Sequence, residues 1–285
     1  MHIRFENLFF RYKSFGSPSG DILRHVNLEI QAGEFLAIAG PSGAGKTTLM
    51  QHFTGLLKPT AGRVLIDGRD LWAPGTKLTD LRRRIGLVFQ FPEAQLFEET
   101  VYQDVAFGLR NLELAEEEVG GRVRLAMQQV GLDFEAFRHR SPIHLSEGEK
   151  RRAALAGVLV MNPETLVLDE PTAGLDYLGV QSFIKILRDY HSAGKTVVFI
   201  SHQLDLIFSL VNRIVLMNSG EIRFDGQIRR LVTQPEILES AGLSQPRILQ
   251  LIQHLKKSGL ADSLASGSVT ELFQAISLSP KSVLK

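Results

Sequence analysis

The sequence has no cysteine, which excludes disulfides and thiolate metal sites and fits a reducing compartment. It has no uninterrupted apolar run of the ~18 residues that a membrane-spanning helix needs; the best candidate, residues 204–217, is broken by Asp205, Asn212 and Arg213. Charge of a single sign is lacking too. Lys and Arg number 32 against 31 Asp and Glu, a net charge of +1, so no whole-chain field favours a nucleic acid or an acidic lipid surface. The opening residues Met1-His2-Ile3-Arg4-Phe5-Glu6 place charges where a secretory signal would need its apolar core. These absences lead to the expectation of a soluble chain that reaches a membrane only through a partner.

What is present is a globular composition of 285 residues, 44% hydrophobic and 22% charged, enough for one full core with an appendage. Short apolar runs alternate with helical patterns up to about residue 230, the pattern of an α/β fold with a parallel sheet. Residues 35–39, 85–90, 166–169 and 197–201 are near-continuous apolar runs, as strands buried on both faces require. Residues 46–56 read as a helix. Arg63-Val64-Leu65-Ile66 runs into the turn signal Asp67-Gly68, and residues 214–217 meet residues 222–224 across Asn218-Ser219-Gly220. Both hairpins are assigned to a smaller antiparallel sheet beside the parallel one.

Between residues 92 and 161 the strand signal fades, and Val119, Val123, Met127 and Val130 recur at helical spacing. This predicts an inserted helical subdomain, although Gly120 and Gly121 oppose a helix there. After residue 230 the stripe Ile248, Ile252 and Leu255 predicts further helix, as does the capping-box pattern Ser268-Val269-Thr270-Glu271 ahead of Leu272, Phe273 and Ile276. Residues 231–285 are therefore expected to form a C-terminal helical extension, with covering the core and mediating dimerisation both open as its role.

The motifs carry the chemistry. Gly40-Pro41-Ser42-Gly43-Ala44-Gly45-Lys46-Thr47, with Thr48 next, fits G-x-x-x-x-G-K-[ST] between a strand and a helix. Its glycines let backbone N–H groups turn toward phosphate oxygens, and the helix N-terminus adds partial positive charge. Lys46 neutralises the terminal phosphates, and the Thr47 hydroxyl can ligate Mg²⁺. Leu166-Val167-Leu168-Asp169-Glu170 ends a buried strand in two carboxylates. Asp169 takes the Mg²⁺-organising place, and Glu170 polarises the attacking water or accepts its proton. His202 follows the run at 197–201, at a strand end where ligands gather, in position to contact a terminal phosphate.

Leu145-Ser146-Glu147-Gly148-Glu149 precedes an apolar helical pattern at 153–160, with Lys150, Arg151 and Arg152 in its first turns. Ser146 is a natural N-cap, and the helix it opens offers a second anion-binding terminus. Because one loop already cradles the phosphates of its own subunit, this helix points to a site completed by a second copy or a paralogue.

In order and content these motifs resemble the nucleotide-binding subunit of ABC transporters over about residues 1–230. The resemblance implies a P-loop NTPase core of the ABC type: α/β, with a mixed sheet, an antiparallel subdomain, the helical subdomain at about 92–161 and the C-terminal helices added. It implies an ATPase that uses ATP and Mg²⁺. It also implies a dimer in which each nucleotide lies between one subunit's loop and the other's signature helix, bringing in Ser146, Gly148 and Glu149. By the same resemblance Tyr12 stacks on adenine, and Gln90 links Mg²⁺ and the attacking water to the transporter interface. Asp176, in Ala173-Gly174-Leu175-Asp176, communicates across the dimer, and His202 is the switch histidine.

Phe89-Gln90-Phe91-Pro92-Glu93-Ala94-Gln95-Leu96-Phe97-Glu98-Glu99-Thr100-Val101 is similar to the energy-coupling factor (ECF) transporters, which import vitamins and transition-metal ions such as cobalt and nickel. Asp104-Val105-Ala106-Phe107-Gly108, Ser141-Pro142 and residues 150–157 extend the likeness, with the second ATPase of the paired type the nearer match. The partners so implied are a second ATPase subunit, identical or paralogous, a transmembrane coupling subunit and a substrate-binding membrane subunit, with no nucleic acid. The implied place is the cytoplasmic face of the cell membrane. An ATPase of another ABC transporter class, or a soluble ABC ATPase acting on nucleic acid, is the alternative. One departure stands out: the family's signature reads L-S-G-G-Q, whereas Glu147 and Glu149 replace its first glycine and its glutamine here. Two carboxylates beside a polyphosphate repel it unless they point away or pair with residues 150–152.

Overall fold

The structure is a computed structural model that describes residues 1–12, 20–110 and 112–257. Its strands are β1 (Ile3–Phe10), β2 (Leu23–Ile30), β3 (Phe35–Ala39), β4 (Ala61–Ile66), β5 (Arg69–Asp70), β6 (Ile85–Val88), β7 (Thr165–Asp169), β8 (Thr196–Ile200), β9 (Arg213–Asn218) and β10 (Glu221–Gln227). The helices are α1 (Lys46–His52), α2 (Leu78–Arg84), α3 (Val101–Ala106), α4 (Glu116–Gln129), α5 (Phe134–Phe137), α6 (Glu147–Leu159), α7 (Tyr177–Ser192), α8 (Leu204–Leu210), α9 (Ile228–Thr233), α10 (Glu236–Ser240) and α11 (Arg247–Lys257). Strands β2-β1-β4-β5 form an antiparallel sheet, and β10-β9-β3-β8-β7-β6 form a larger one that is parallel except at its β10 edge.

The large sheet divides two cores. Because successive side chains leave a strand on opposite faces, Leu36, Ile38, Val167, Val198 and Ile200 pack toward the small sheet and α1, while Ala37, Ala39, Leu166, Leu168, Val197 and Phe199 pack toward the helices. Apolar residues on both faces satisfy both layers, which is why these strands read as near-continuous runs.

The assignment of residues 214–217 and 222–224 to the small sheet is corrected. The hairpin forms, as β9 and β10, but β9 runs parallel to β3, with Ala37 opposite Ile214 and Ala39 opposite Leu216. The cause is burial on both faces: Ile214 and Leu216 enter one core, Val215 and Met217 the other. The hairpin β4–β5 does join the small sheet. Two element ends also differ from expectation. The helix after Lys46 stops at His52, with Gly55 at φ +63° turning the chain, and the strand at Ile85 ends at Val88, leaving Gln90 outside the sheet.

Among the described residues, 92–161 contain no strand. Helix α4 runs through Gly120 and Gly121 because Val123 and Met127 are inaccessible on its buried face. Their burial outweighs the ~1 kcal/mol that each interior glycine costs. The expected boundary near residue 230 falls inside α9, and Leu231, Leu238, Leu249 and Ile252 enter the same core as Phe208 and Phe224. The pattern at 268–276 and the side chain of Leu255 lie outside the described residues. No described helix is long and apolar enough to cross a membrane.

Leu249 in α11 is fully buried, so Leu249→Ala is expected to lower the unfolding free energy by about 2–5 kcal/mol. Urea titration of the full chain measures this, and an unchanged midpoint would detach α11 from the core.

Candidate active site

Strands β3, β8 and β7 lie side by side, and their carboxyl ends deliver three segments to one edge: the loop from Gly40, Ser201-His202 and Asp169-Glu170. The loop is pressed against its neighbours. A Cβ at Gly40 would lie 2.2 Å from the Met217 carbonyl oxygen, and one at Gly45, whose φ is +96°, would lie 2.8 Å from the Leu23 side chain. Only glycine fits either place. No side chain caps α1 at Gly45, which leaves its first-turn N–H groups to a ligand.

Lys46 Nζ donates to the carbonyls of Gly40 at 2.7 Å and Pro41 at 3.0 Å. Burial pulls its ammonium below the usual lysine range, against the opposing charges of Glu170 and Asp169. The Thr47 hydroxyl donates to Asp169 Oδ2 at 2.6 Å. Asp169 is only 5% exposed. Burial pushes its carboxyl up; the Thr47 hydrogen bond and the Lys46 charge work against that, and the neighbouring charge of Glu170 adds to it.

Glu170 takes the left-handed backbone region at φ +45°, a conformation that costs a non-glycine residue about 1–3 kcal/mol. Its carboxylate accepts from Ser201 Oγ at 3.0 Å, from the His202 N–H at 2.8 Å and from His202 Nδ1 at 2.7 Å. The last bond puts the ring proton on Nδ1, leaving Nε2 for another partner. Ser201 reads in the sequence only as the end of an apolar run; the Ser-His dipeptide at a strand terminus is the one trace of its contact with Glu170.

These groups surround a cavity of about 620 Å³ lined by Tyr12, Ile22, Ser42, Gly43, Ala44, Gly45, Lys46, Thr47, Thr48, Gln90, Asp169, Glu170 and His202. The Tyr12 ring meets Phe10 edge-on, with ring centroids 4.8 Å apart, and its hydroxyl is 3.5 Å from Thr48 Oγ1. Gly40 and Pro41 carry the carbonyls that hold Lys46. A larger cavity of about 990 Å³ lies among α3, α4 and α5; Thr100 and Ala106 line it, but none of the predicted nucleotide-site residues does.

Ser146, Gly148, Glu149 and Asp176 are absent from the lining. Asp176 caps α7 by accepting from the Gly179 N–H at 2.7 Å. Ser146 caps α6 in a reciprocal box: its oxygen accepts from the Glu149 N–H, and Glu149 Oε2 accepts from the Ser146 N–H and hydroxyl, both at 2.8 Å. Those two bonds hold the Glu149 carboxyl below its usual range. Glu147 pairs with Lys150 at 2.9 Å. Both extra carboxylates of the signature therefore have partners on their own helix.

Residues 23–173 match the family model described as ABC transporter. The chain is 42% identical, over 97% of its own length and 97% of the other, to the energy-coupling factor transporter ATP-binding protein EcfA2 of Clostridium perfringens. Among solved structures it is similar to cbiO1 from Clostridium perfringens, described as part of the ABC transporter complex cbiONQ, with a TM-score of 0.74 and 37% identity over 88% of this chain and 98% of that one. It is also similar to the ATP-binding cassette MJ0796, a dimer bound to ADP and Pi in a post-hydrolysis state, with a TM-score of 0.70 and 32% identity over 79% of this chain and 98% of that one.

The raised Asp169 carboxyl has a consequence for stability. A group that binds its proton more tightly when folded adds stability as pH falls below its folded pKa, and its ionisation costs stability at neutral pH. Asp169→Asn keeps the Thr47 hydrogen bond without the buried charge. Its thermal midpoint at neutral pH is expected to rise above that of the wild type, by an increment that shrinks under acid conditions. Differential scanning calorimetry at two pH values checks both signs.

Proposed function

The chain belongs to the ABC transporter family as an ATPase of the energy-coupling factor type, and from that premise we propose that it energises the uptake of a vitamin or a transition-metal ion, such as cobalt or nickel, through membrane partners. The carrying observation is the convergence of the loop at 42–48, Gln90, Asp169, Glu170 and His202 on one cavity, with the signature helix α6 outside it. In this reading each chain holds half of two composite sites. Tyr12 takes the adenine face, and Lys46 exchanges the Gly40 and Pro41 carbonyls for terminal phosphate oxygens. Ser146 and Gly148 approach the nucleotide of a second ATPase subunit, identical or paralogous, and Asp176 lies on the same face.

The donors fit Mg²⁺. Thr47 and Asp169 offer hard oxygens 2.6 Å apart, and no described cluster of three or more His, Cys, Asp or Glu could hold a metal unaided. That suits an ion held by one or two protein oxygens together with substrate phosphates and water. Bound there, with Gln90 nearby, Mg²⁺ would offset charge on the phosphate oxygens. Glu170 accepts a proton from the water whose oxygen attacks the terminal phosphorus, while the bond to ADP breaks and its electron pair leaves with ADP. His202, fastened to Glu170 through Nδ1, offers Nε2 to the phosphate.

Support for a membrane partner comes from the surface after Gln90. Phe91, Phe97 and Phe107 are exposed, and the Phe97 and Phe107 rings meet edge-on at 4.9 Å, an apolar patch suited to a protein partner. The partners in this reading are a transmembrane coupling subunit and a substrate-binding membrane subunit at the cytoplasmic face of the cell membrane.

Glu170→Gln is expected to bind ATP as the wild type does and to hydrolyse it about 100-fold or more slowly. Lys46→Ala is expected to lose ATP binding altogether. Fluorescent-nucleotide titration with a phosphate-release assay reads both, and wild-type turnover in the first variant would remove Glu170 from its role. Glutamine serves the capping box as glutamate does, so Glu149→Gln keeps the helix cap while removing a negative charge. ATP-driven dimerisation of that variant, followed by light scattering beside Glu170→Gln, is expected to strengthen; weaker association would show that the carboxylate assists closure.

A further inference from the structure

Arg151 is 4% exposed, and no other described lysine or arginine is as buried. It lies on α6, one turn beyond the Ser146 cap. Its guanidinium holds two other segments at once. Nε and Nη2 donate to the two carboxylate oxygens of Glu93 at 3.1 and 2.8 Å, and Nη1 donates to the carbonyls of Ala173 at 2.6 Å and Pro171 at 3.3 Å. Glu93 sits in a short turn, Pro92–Gln95, just after Gln90, and its side chain is 12% exposed. Pro171 directly follows Glu170, and the Ala173 N–H donates back to the Glu170 carbonyl at 3.1 Å. One planar cation thus joins the signature helix, the turn after Gln90 and the turn that carries Glu170.

Simple adhesion does not require such a group. Apolar side chains of similar volume hold buried elements together as well or better, since a buried ion pair repays little more than its desolvation. A bidentate fork instead fixes direction, because its donors must lie in one plane with the carboxylate. Gln90 and Glu170 line the active cavity; Arg151 and Glu93 do not.

We propose that Arg151 and Glu93 are a positioning pair: through them the turn after Gln90 and the signature helix set where Glu170 stands relative to the nucleotide. Displacement of the exposed Phe91 and Phe97 surface is carried to Glu170 by the Glu93 carboxylate and the Arg151 fork. The proposal rests on ATP hydrolysis occurring in the Lys46 cavity.

The test uses the full chain with Mg²⁺, well below its melting temperature, and measures fluorescent-ATP affinity beside steady-state hydrolysis. Glu93→Gln and Arg151→Lys are expected to keep affinity within about twofold. Turnover should fall at least about tenfold, since a misplacement of 1 Å costs about 100-fold. A third variant, Glu93→Leu/Arg151→Met, replaces the pair with apolar groups. It is expected to keep the wild-type melting temperature and still turn over slowly. Wild-type turnover in Glu93→Gln overturns the proposal, as does recovery of turnover in the apolar double variant, which would make the pair scaffolding alone. Should Arg151→Lys not fold, Glu93→Gln decides by the same two readouts. A wild type that hydrolyses ATP beside unimpaired variants overturns the pair only; a wild type that neither binds nor hydrolyses ATP overturns the cavity assignment and the pair together.

Discussion

A parallel sheet covered on both faces can show polar groups only at its strand ends, and this constraint organises the molecule. Every residue of β7 and β8 is buried; the first side chains free to do chemistry are those at or just past the carboxyl ends. With β8 between β3 and β7, the loop at Gly40 flanks one side of His202 and Asp169-Glu170 the other. The Thr47 to Asp169 hydrogen bond closes across them. The loop is tied down at its base as well, since Gly40 rests on β9 with no room for a side chain.

The edge so formed is electrostatically crowded. Lys46, Asp169 and Glu170 share a partly desolvated corner, and each is held differently. Lys46 is held by two loop carbonyls, Asp169 by a single hydroxyl, and Glu170 by three donors from Ser201 and His202. Asp169 has the fewest of these partners, and burial pushes its carboxyl up. A site that keeps a buried carboxylate beside another carboxylate gains when polyphosphate and a divalent cation enter together. The left-handed backbone of Glu170 adds strain at the same point, held by the bonds to its carboxylate.

The signature segment lies apart from the cavity. Ser146 and Gly148 open α6, whose extra glutamates are both taken up locally, Glu147 by Lys150 and Glu149 by Ser146. The Arg151 fork is the covalently remote link between that helix and Glu170. In the proposed reading, the catalytic corner and the signature of one subunit face two different nucleotides.

Much of this was legible in the amino-acid sequence for local reasons. The loop at 40–48, the carboxylates ending β7, the Ser146 cap and the helical insert each announce themselves within a dozen neighbouring residues, because glycine geometry, strand burial and helix capping are short-range effects. The ends of α1 and β6, the sheet to which β9 belongs and the contacts of Ser201 and Arg151 were not legible in that way. A hairpin pattern says which strands are adjacent in sequence but not which third strand lies alongside, and Ser201 and Arg151 meet their partners 31 and up to 58 residues away. By itself the sequence determined the chemistry available: a phosphate loop, a pair of acids, a capped signature helix. Only the tertiary structure decided which of those groups share a cavity and which are joined through a buried cation, because both depend on distances across the sheet that no local pattern encodes.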